Sequence, residues 1–87
     1  MDKLKQTIIK GKQIKELLEN DDVRAAWEDV QADIVKMWMA TKTGEQETRE
    51  ALYREVHGLK ALQARLQRWV NEGKKAEAEL EADKRNG

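Results

Sequence analysis

The chain has 87 residues, with 17 Lys and Arg against 17 Asp and Glu, and it contains no Cys, Pro or Phe. The absence of cysteine excludes a disulfide scaffold and a Cys-ligated zinc site, and the shortness of every apolar run argues against a membrane-spanning helix. Charged and apolar residues each make up 39% of the chain and loop formers are rare. This composition predicts an all-α fold, with residues 1–87 forming a single small domain.

The first predicted element is a short N-terminal helix between Lys3 and Glu19, where apolar residues recur at helical spacing. Gly11 interrupts this helix and costs about 1 kcal/mol relative to alanine, so the first turns are expected to kink or fray over residues 1–12. The sequence Asn20-Asp21-Asp22 then predicts the start of a second helix, because it supplies an N-cap and negative charge in the first turn.

The second helix has the most regular apolar pattern in the chain, running from Val23 to Thr41 in steps of three and four residues. A break follows at residues 41–44, where Thr43 and Gln46 have the spacing of a capping box. The third helix is predicted to be long, from about Glu45 to near Asp83, and residues 81–87 are expected to fray.

The short link between the second and third helices predicts an antiparallel helical hairpin. Counting outward from the link places Trp38 near Leu52 and Trp27 near Leu62 or Leu66, with the first helix crossing the open end. The tail of the long C-terminal helix is then expected to lack a partner within the chain. We therefore predict an oligomer, with coiled-coil-like association, because a second chain would supply the missing burial.

Two groups of apolar residues are the candidates for a partner or subunit interface. Tryptophan can anchor an interface and methionine can adapt to one, although both also fill cores at helical spacing. Trp27 is predicted to be a core residue, whereas Trp38 and Trp69 each compete with an apolar neighbour for the inward position. The candidate interface residues are Met37, Trp38, Met39, Trp69 and Val70.

The sequence contains no recognisable catalytic or metal-binding motif. The chain has no serine or cysteine nucleophile and no Gly-rich phosphate loop. Its single histidine, His57, has no neighbouring residues spaced to act with it as metal ligands or as a general base. We predict a protein that is not an enzyme, with no catalytic residues, no metal site and no cofactor.

The net charge of zero is the sum of three unequal segments: residues 1–15 carry +4, residues 16–50 carry −6 and residues 51–87 carry +2. Segregated charge of this kind favours electrostatic pairing within or between chains. The alternative is that the basic first helix contacts nucleic acid phosphates, assisted by later basic residues such as Lys74, although a neutral total argues against it. The residues for that contact are Lys3, Lys5, Lys10, Lys12 and Lys15.

Three segments are set apart by their hydrophobic spacing: Leu17-Leu18, Val23 to Trp27, and Arg49-Glu50-Ala51-Leu52-Tyr53 through to Leu66-Gln67-Arg68-Trp69. Through this spacing, the sequence over about residues 13–75 resembles small helical proteins of tailed bacteriophages. These proteins are mostly uncharacterised, so the resemblance implies a phage or prophage origin and carries over no functional residues.

Together these observations predict a non-enzymatic protein–protein interaction or structural module that self-associates, binds another protein, or does both, as a phage accessory protein. The alternatives are a nucleic-acid-binding accessory for packaging or regulation and a small inhibitor of a host protein. No secretory leader pattern is present, so we expect it in the cytoplasm, that of the bacterial host if it is phage-encoded.

Overall fold

The structure is a computed structural model that describes residues 2–86, and within this range the chain is all-helical. Its elements are α1 (Lys3–Glu19), α2 (Asp21–Met39) and α3 (Gln46–Asn86). The predicted bounds of the first helix are confirmed, and the other two differ from their predicted bounds by at most three residues. Met1 and Gly87, part of the predicted frayed ends, lie outside the described residues.

Asn20 separates α1 from α2 and caps both of them. Its backbone N–H donates to the carbonyl of Leu17 at 3.3 Å, which ends α1, and its side-chain oxygen accepts from the N–H of Val23 at 3.0 Å, which starts α2. The predicted N-cap is therefore confirmed. A single extended residue at this point allows the chain to change direction between two helices without a longer loop.

The link between α2 and α3 corrects the capping box predicted at Thr43 and Gln46. Because α3 begins at Gln46, the capping position falls on Glu45, and Thr43 lies too far from the helix to fill it. Gly44 stands between them with φ of +100°, a left-handed conformation that glycine adopts without strain. The Glu45 carboxylate accepts from the N–H of Lys42 at 3.4 Å and closes the turn.

The helix α3 extends along the whole molecule. Its 41 residues are about 61 Å long at the usual helical rise, and the molecule measures 66 × 24 × 19 Å. The radius of gyration is 18.9 Å, against about 12 Å for a compact domain of this length. An elongated molecule of this kind leaves a large share of its side chains at the surface.

The two shorter helices pack against different halves of α3. Along α2 the contacts with α3 run in reverse order, since Trp27 lies beside Gln63 and Gln67 whereas Trp38 lies beside Arg49 and Tyr53. The other helix, α1, packs on the C-terminal half of α3 and makes little contact with α2.

The close approach of α1 to α3 corrects two expectations. Gly11 neither kinks nor ends α1, and the C-terminal half of α3 has a partner within the chain. A methyl group added at Gly11 would lie 2.9 Å from the Cα of Gly73 and 3.1 Å from the carbonyl oxygen of Trp69. The two glycines therefore let the helix backbones touch, and their lack of a side chain is used for packing.

Only a small core results from this arrangement. Among residues 2–86 the buried hydrophobic side chains are Ile34, Leu52, Val70 and Ala76. Trp27, predicted as a core residue, is partly buried, and its indole N–H is enclosed without a hydrogen-bond partner.

Candidate interaction surface

The last turn of α2 carries three of the predicted interface residues, and all three are exposed. Trp38 lies nearest α3, where the guanidinium of Arg49 stacks 4.9 Å from its ring centroid. Met37 is 52% exposed and Met39 is 74% exposed. Side chains two positions apart on a helix diverge by about 200°, so the two methionines lie on opposite flanks of α2.

Met39 belongs to a shallow groove formed by α2 alone, which we call the Met39 face. It consists of Ala32, Val35 and Met39, bordered by Glu28, Gln31 and Lys36. The three apolar residues follow helical spacing and lie on one side of the buried Ile34. No residue of α1 or α3 lines this groove, so its apolar side chains face solvent.

Met37 belongs to a second apolar surface, shared by α2 and α3, which we call the Met37 face. Val30 lies seven residues before Met37 and therefore on the same stripe of α2, and it is 49% exposed. Helical spacing places Leu62 and Gly58 on the flank of α3 away from Arg49 and Tyr53, which is the side that Val30 and Met37 take on α2. Leu62 is also 49% exposed, and a methyl group added at Gly58 would meet no atom within 4 Å.

The sequence prediction included Met37 but missed the other members of the Met37 face. Their signal is the seven-residue spacing of Val30 and Met37 together with a glycine in mid-helix. That signal is ambiguous, because identical spacing also places residues in a core and the glycine could simply weaken the helix.

Trp69 and Val70 lie far from the C-terminal end of α2, where Met37, Trp38 and Met39 are located. Twenty residues of α3 separate Trp69 from Arg49, which corresponds to about 30 Å. Val70 is only 4% exposed and packs in the core, whereas Trp69 is partly exposed with the ammonium of Lys10 at 4.3 Å from its ring centroid. The five predicted interface residues therefore do not form one surface.

The five predicted nucleic-acid contacts are exposed side chains along α1. Lys12 pairs with Glu77 at 3.7 Å and Lys15 pairs with Glu19 at 3.9 Å, both as exposed ion pairs. Lys12, Lys15 and Lys74 line one cleft of about 180 Å³ between α1 and α3. The remaining predicted contacts, Lys3 and Lys5, lie nearer the start of α1, and Lys10 covers Trp69.

A further cleft of about 270 Å³ lies where the three helices meet, beside Trp27. Its lining combines apolar and amide side chains: Leu18, Val23, Arg24, Trp27, Glu28, Gln31, Gln63 and Gln67. The cleft is open to solvent on one side, whereas the indole N–H of Trp27 in its wall is enclosed.

Within residues 2–86, no cluster of three or more His, Asp or Glu side chains is arranged to hold a metal ion. His57 stacks on Tyr53, with ring centroids 4.3 Å apart, on an exposed part of α3. In the same range, none of the helices combines the length and the apolar character needed to cross a membrane.

Comparison of the chain with protein families, with curated proteins and with solved structures gives no match.

Proposed function

We propose that this protein is a non-enzymatic protein–protein interaction or structural module that works as a self-associating antiparallel helical hairpin. The observation that carries this proposal is the distribution of apolar side chains. More large hydrophobic residues of the described chain are exposed than buried: Ile9, Leu17, Val30, Val35, Met37, Trp38, Met39, Tyr53, Leu62 and Trp69. Extended apolar surface of this kind marks sites of association with other proteins.

Shape supports the same proposal. Two helices side by side bury only the side chains between them, so the flanks of α2 and of the N-terminal half of α3 stay open, whereas α1 covers part of the C-terminal half of α3. Both flanks of α2 carry apolar stripes, the Met37 face and the Met39 face. Covering either stripe with another helix would remove apolar surface from water at about 25 cal/mol per Å².

The cellular setting that we propose is that of a phage accessory protein in the cytoplasm of its bacterial host. This part rests on the sequence resemblance to small helical phage proteins. Action as an inhibitor of a host protein would use the same apolar faces and is a variant of this proposal.

Sedimentation velocity over a range of protein concentrations tests the proposed function. We expect the wild-type chain to sediment as an oligomer at micromolar concentration, and replacement of Met37 and Met39 by glutamine to weaken association. The matched control is Lys36→Gln, which lies directly before Met37 in the sequence and removes no apolar side chain. A wild-type chain that stays monomeric throughout and retains its helical circular dichroism would refute self-association.

A second candidate is a nucleic-acid-binding accessory, favoured by the cleft that Lys12, Lys15 and Lys74 share. Clustered ammonium groups attract phosphates and release counterions on binding, so affinity falls steeply with salt. The test is a gel-shift titration at two salt concentrations with the triple alanine variant at these lysines. As a control, alanine at Lys60, Lys84 and Arg85 removes equal charge elsewhere. Absence of a shift at low salt would eliminate this candidate.

A further inference from the structure

We propose that a second copy of this chain docks on the Met39 face, with the two α2 helices side by side and antiparallel. The inference rests on the proposed function, because it names the partner and the surface used in self-association. The observation that carries it is the placement of the two charged residues that line this groove, one acidic and one basic, on either side of its apolar residues.

The Met39 face is an apolar surface that its own chain leaves uncovered. Met39 is the most exposed of the large hydrophobic residues in the described chain, and Val35 is 44% exposed. Ala32 is exposed as well. All three line a groove to which α1 and α3 contribute no residue. Only a group from outside the chain can therefore remove these side chains from water.

Two opposite charges border these apolar residues within the same groove. Glu28 and Lys36 both line it, and Ala32 stands midway between them in the sequence. The two charged residues are about 12 Å apart along the helix and point within about 80° of each other. In the described chain the ion pairs are those of Lys12 and Lys15, so neither charge of the groove is paired. Each is therefore available to a partner.

A two-fold axis through Ala32 and perpendicular to α2 makes this groove complementary to itself. The axis relates positions that lie equally far from Ala32 in opposite directions, so Glu28 of each copy stands level with Lys36 of the other. Two ion pairs then flank the apolar contact. Met39 stands level with Ala25 of the opposite copy, whose small and exposed side chain leaves room for it. Such self-complementarity is what an isologous interface between two copies requires.

The charge along the whole of α2 favours the same antiparallel arrangement. Residues 21–29 contain four acidic residues and one basic residue, whereas residues 34–44 contain two lysines and no acidic residue. The antiparallel dimer sets each acidic segment beside the basic segment of the other copy. A parallel pair would set the two acidic segments together, and like charges in contact oppose association.

The remaining charged residues of α2 are compatible with this contact. Asp29 stands within one residue of the level of Lys36 in the opposite copy and adds to its attraction. Arg24 stands level with an uncharged part of the opposite helix, so it meets no like charge. Asp33 points about 100° away from Ala32 and therefore out of the contact.

Met39→Gln tests the surface, with Met37→Gln as the matched control. Both methionines are exposed at the same end of α2 but lie on opposite flanks. We expect Met39→Gln to weaken dimerisation by at least about tenfold in sedimentation equilibrium, because two apolar side chains are lost per dimer, and Met37→Gln to leave it unchanged. If Met37→Gln weakens dimerisation as much as Met39→Gln does, the assignment to the Met39 face is overturned.

Charge reversal tests the pairing of Glu28 with Lys36. Glu28→Lys and Lys36→Glu should each weaken dimerisation by about tenfold at low salt, because each places like charges together twice. Lys36→Gln should have a smaller effect, since an exposed ion pair contributes little to stability. The double variant Glu28→Lys with Lys36→Glu should dimerise more tightly than either single variant, because it restores opposite charges with the signs exchanged. Additive weakening in the double variant would contradict the pairing.

Disulfide trapping tests the orientation, and the chain has no native cysteine to interfere. Ala32→Cys chains should form a disulfide-linked dimer under mild oxidation, because the two-fold axis brings the two residues together. Ala25→Cys is the matched control on the same stripe of α2, and it should not be trapped, since its two copies lie about 21 Å apart along the helices. Efficient trapping of Ala25→Cys would indicate a parallel pair and overturn the proposed orientation.

The outcomes separate this inference from the proposed function. If the wild type associates and Met39→Gln associates equally well, the Met39 face is not the interface and self-association stands. If the wild type remains monomeric at high concentration, both fail. Helical circular dichroism of every variant shows that a change in association does not come from unfolding.

Discussion

Replacing Gly73 by alanine places a methyl group in the narrowest part of the crossing between α1 and α3. The new carbon would lie 2.9 Å from the Cα of Gly11 and 3.2 Å from the carbonyl oxygen of Thr7. Both are backbone atoms, so no side-chain rotation can relieve the contact and α1 must move outward. That movement also loosens the packing of Val70 and Ala76, two of the few buried hydrophobic residues.

The change in the free energy of unfolding caused by Gly73→Ala is the balance of two opposing effects. Alanine improves helix propensity by about 1 kcal/mol relative to glycine, whereas overpacking against a rigid neighbour costs about 1–3 kcal/mol. Because both contacts are with backbone, we expect the upper part of that cost. The free energy of unfolding should therefore fall by about 1–2 kcal/mol, which lowers the midpoint of thermal unfolding by roughly 4–16 °C in a domain of this size.

Gly58→Ala is the matched control in the same helix. It brings an equal gain in propensity and meets no neighbouring atom, so it should raise the free energy of unfolding by about 1 kcal/mol. Urea unfolding followed by circular dichroism, at concentrations low enough to keep the chain monomeric, measures both variants. If Gly73→Ala stabilises the protein as much as Gly58→Ala does, the close crossing of α1 and α3 is refuted.

Three further predictions concern a cap, a cation–π contact and a turn. Asn20→Ala should lower the free energy of unfolding, measured by urea unfolding, by about 1 kcal/mol, because the N–H of Val23 loses its acceptor. Asn20→Asp should retain most of the wild-type stability, since its carboxylate can accept the same hydrogen bond. A double-mutant cycle of Lys10→Ala and Trp69→Leu should give a coupling energy of about 0.5–1 kcal/mol, and a value of zero would show that the stacking contributes nothing. Gly44→Ala should destabilise the protein by about 1 kcal/mol in thermal unfolding, since φ is +100° there, and Thr43→Ala should not.

Local signals predicted the helices well. The spacing of apolar residues and the capping sequence at Asn20 depend on neighbours within a few positions, so the sequence contains all that is needed to place α1 and the start of α2. These features depend on local residues alone and not on contacts with distant parts of the chain.

The tertiary role of the glycines could not be predicted in this way. A glycine in a helical pattern indicates either a weak point or a close contact, and only the partner distinguishes the two. For Gly11 the partner is Gly73, far away in the sequence, and periodicity gives no information about that pairing. The separation of Met37 from Met39, by contrast, follows from helical periodicity, since side chains two positions apart on a helix diverge by about 200°.

The meeting of Gly11 with Gly73 also has a consequence for synthesis. A ribosome releases α1 about sixty residues before it releases the segment on which α1 packs, so α1 stays without its docking site while those residues are synthesised. Contacts between such distant positions slow folding, because the intervening loop has to close first. During that interval α2 and the first half of α3 can already pair. The nascent chain is therefore expected to gain its structure from the middle outward, with its beginning joining last.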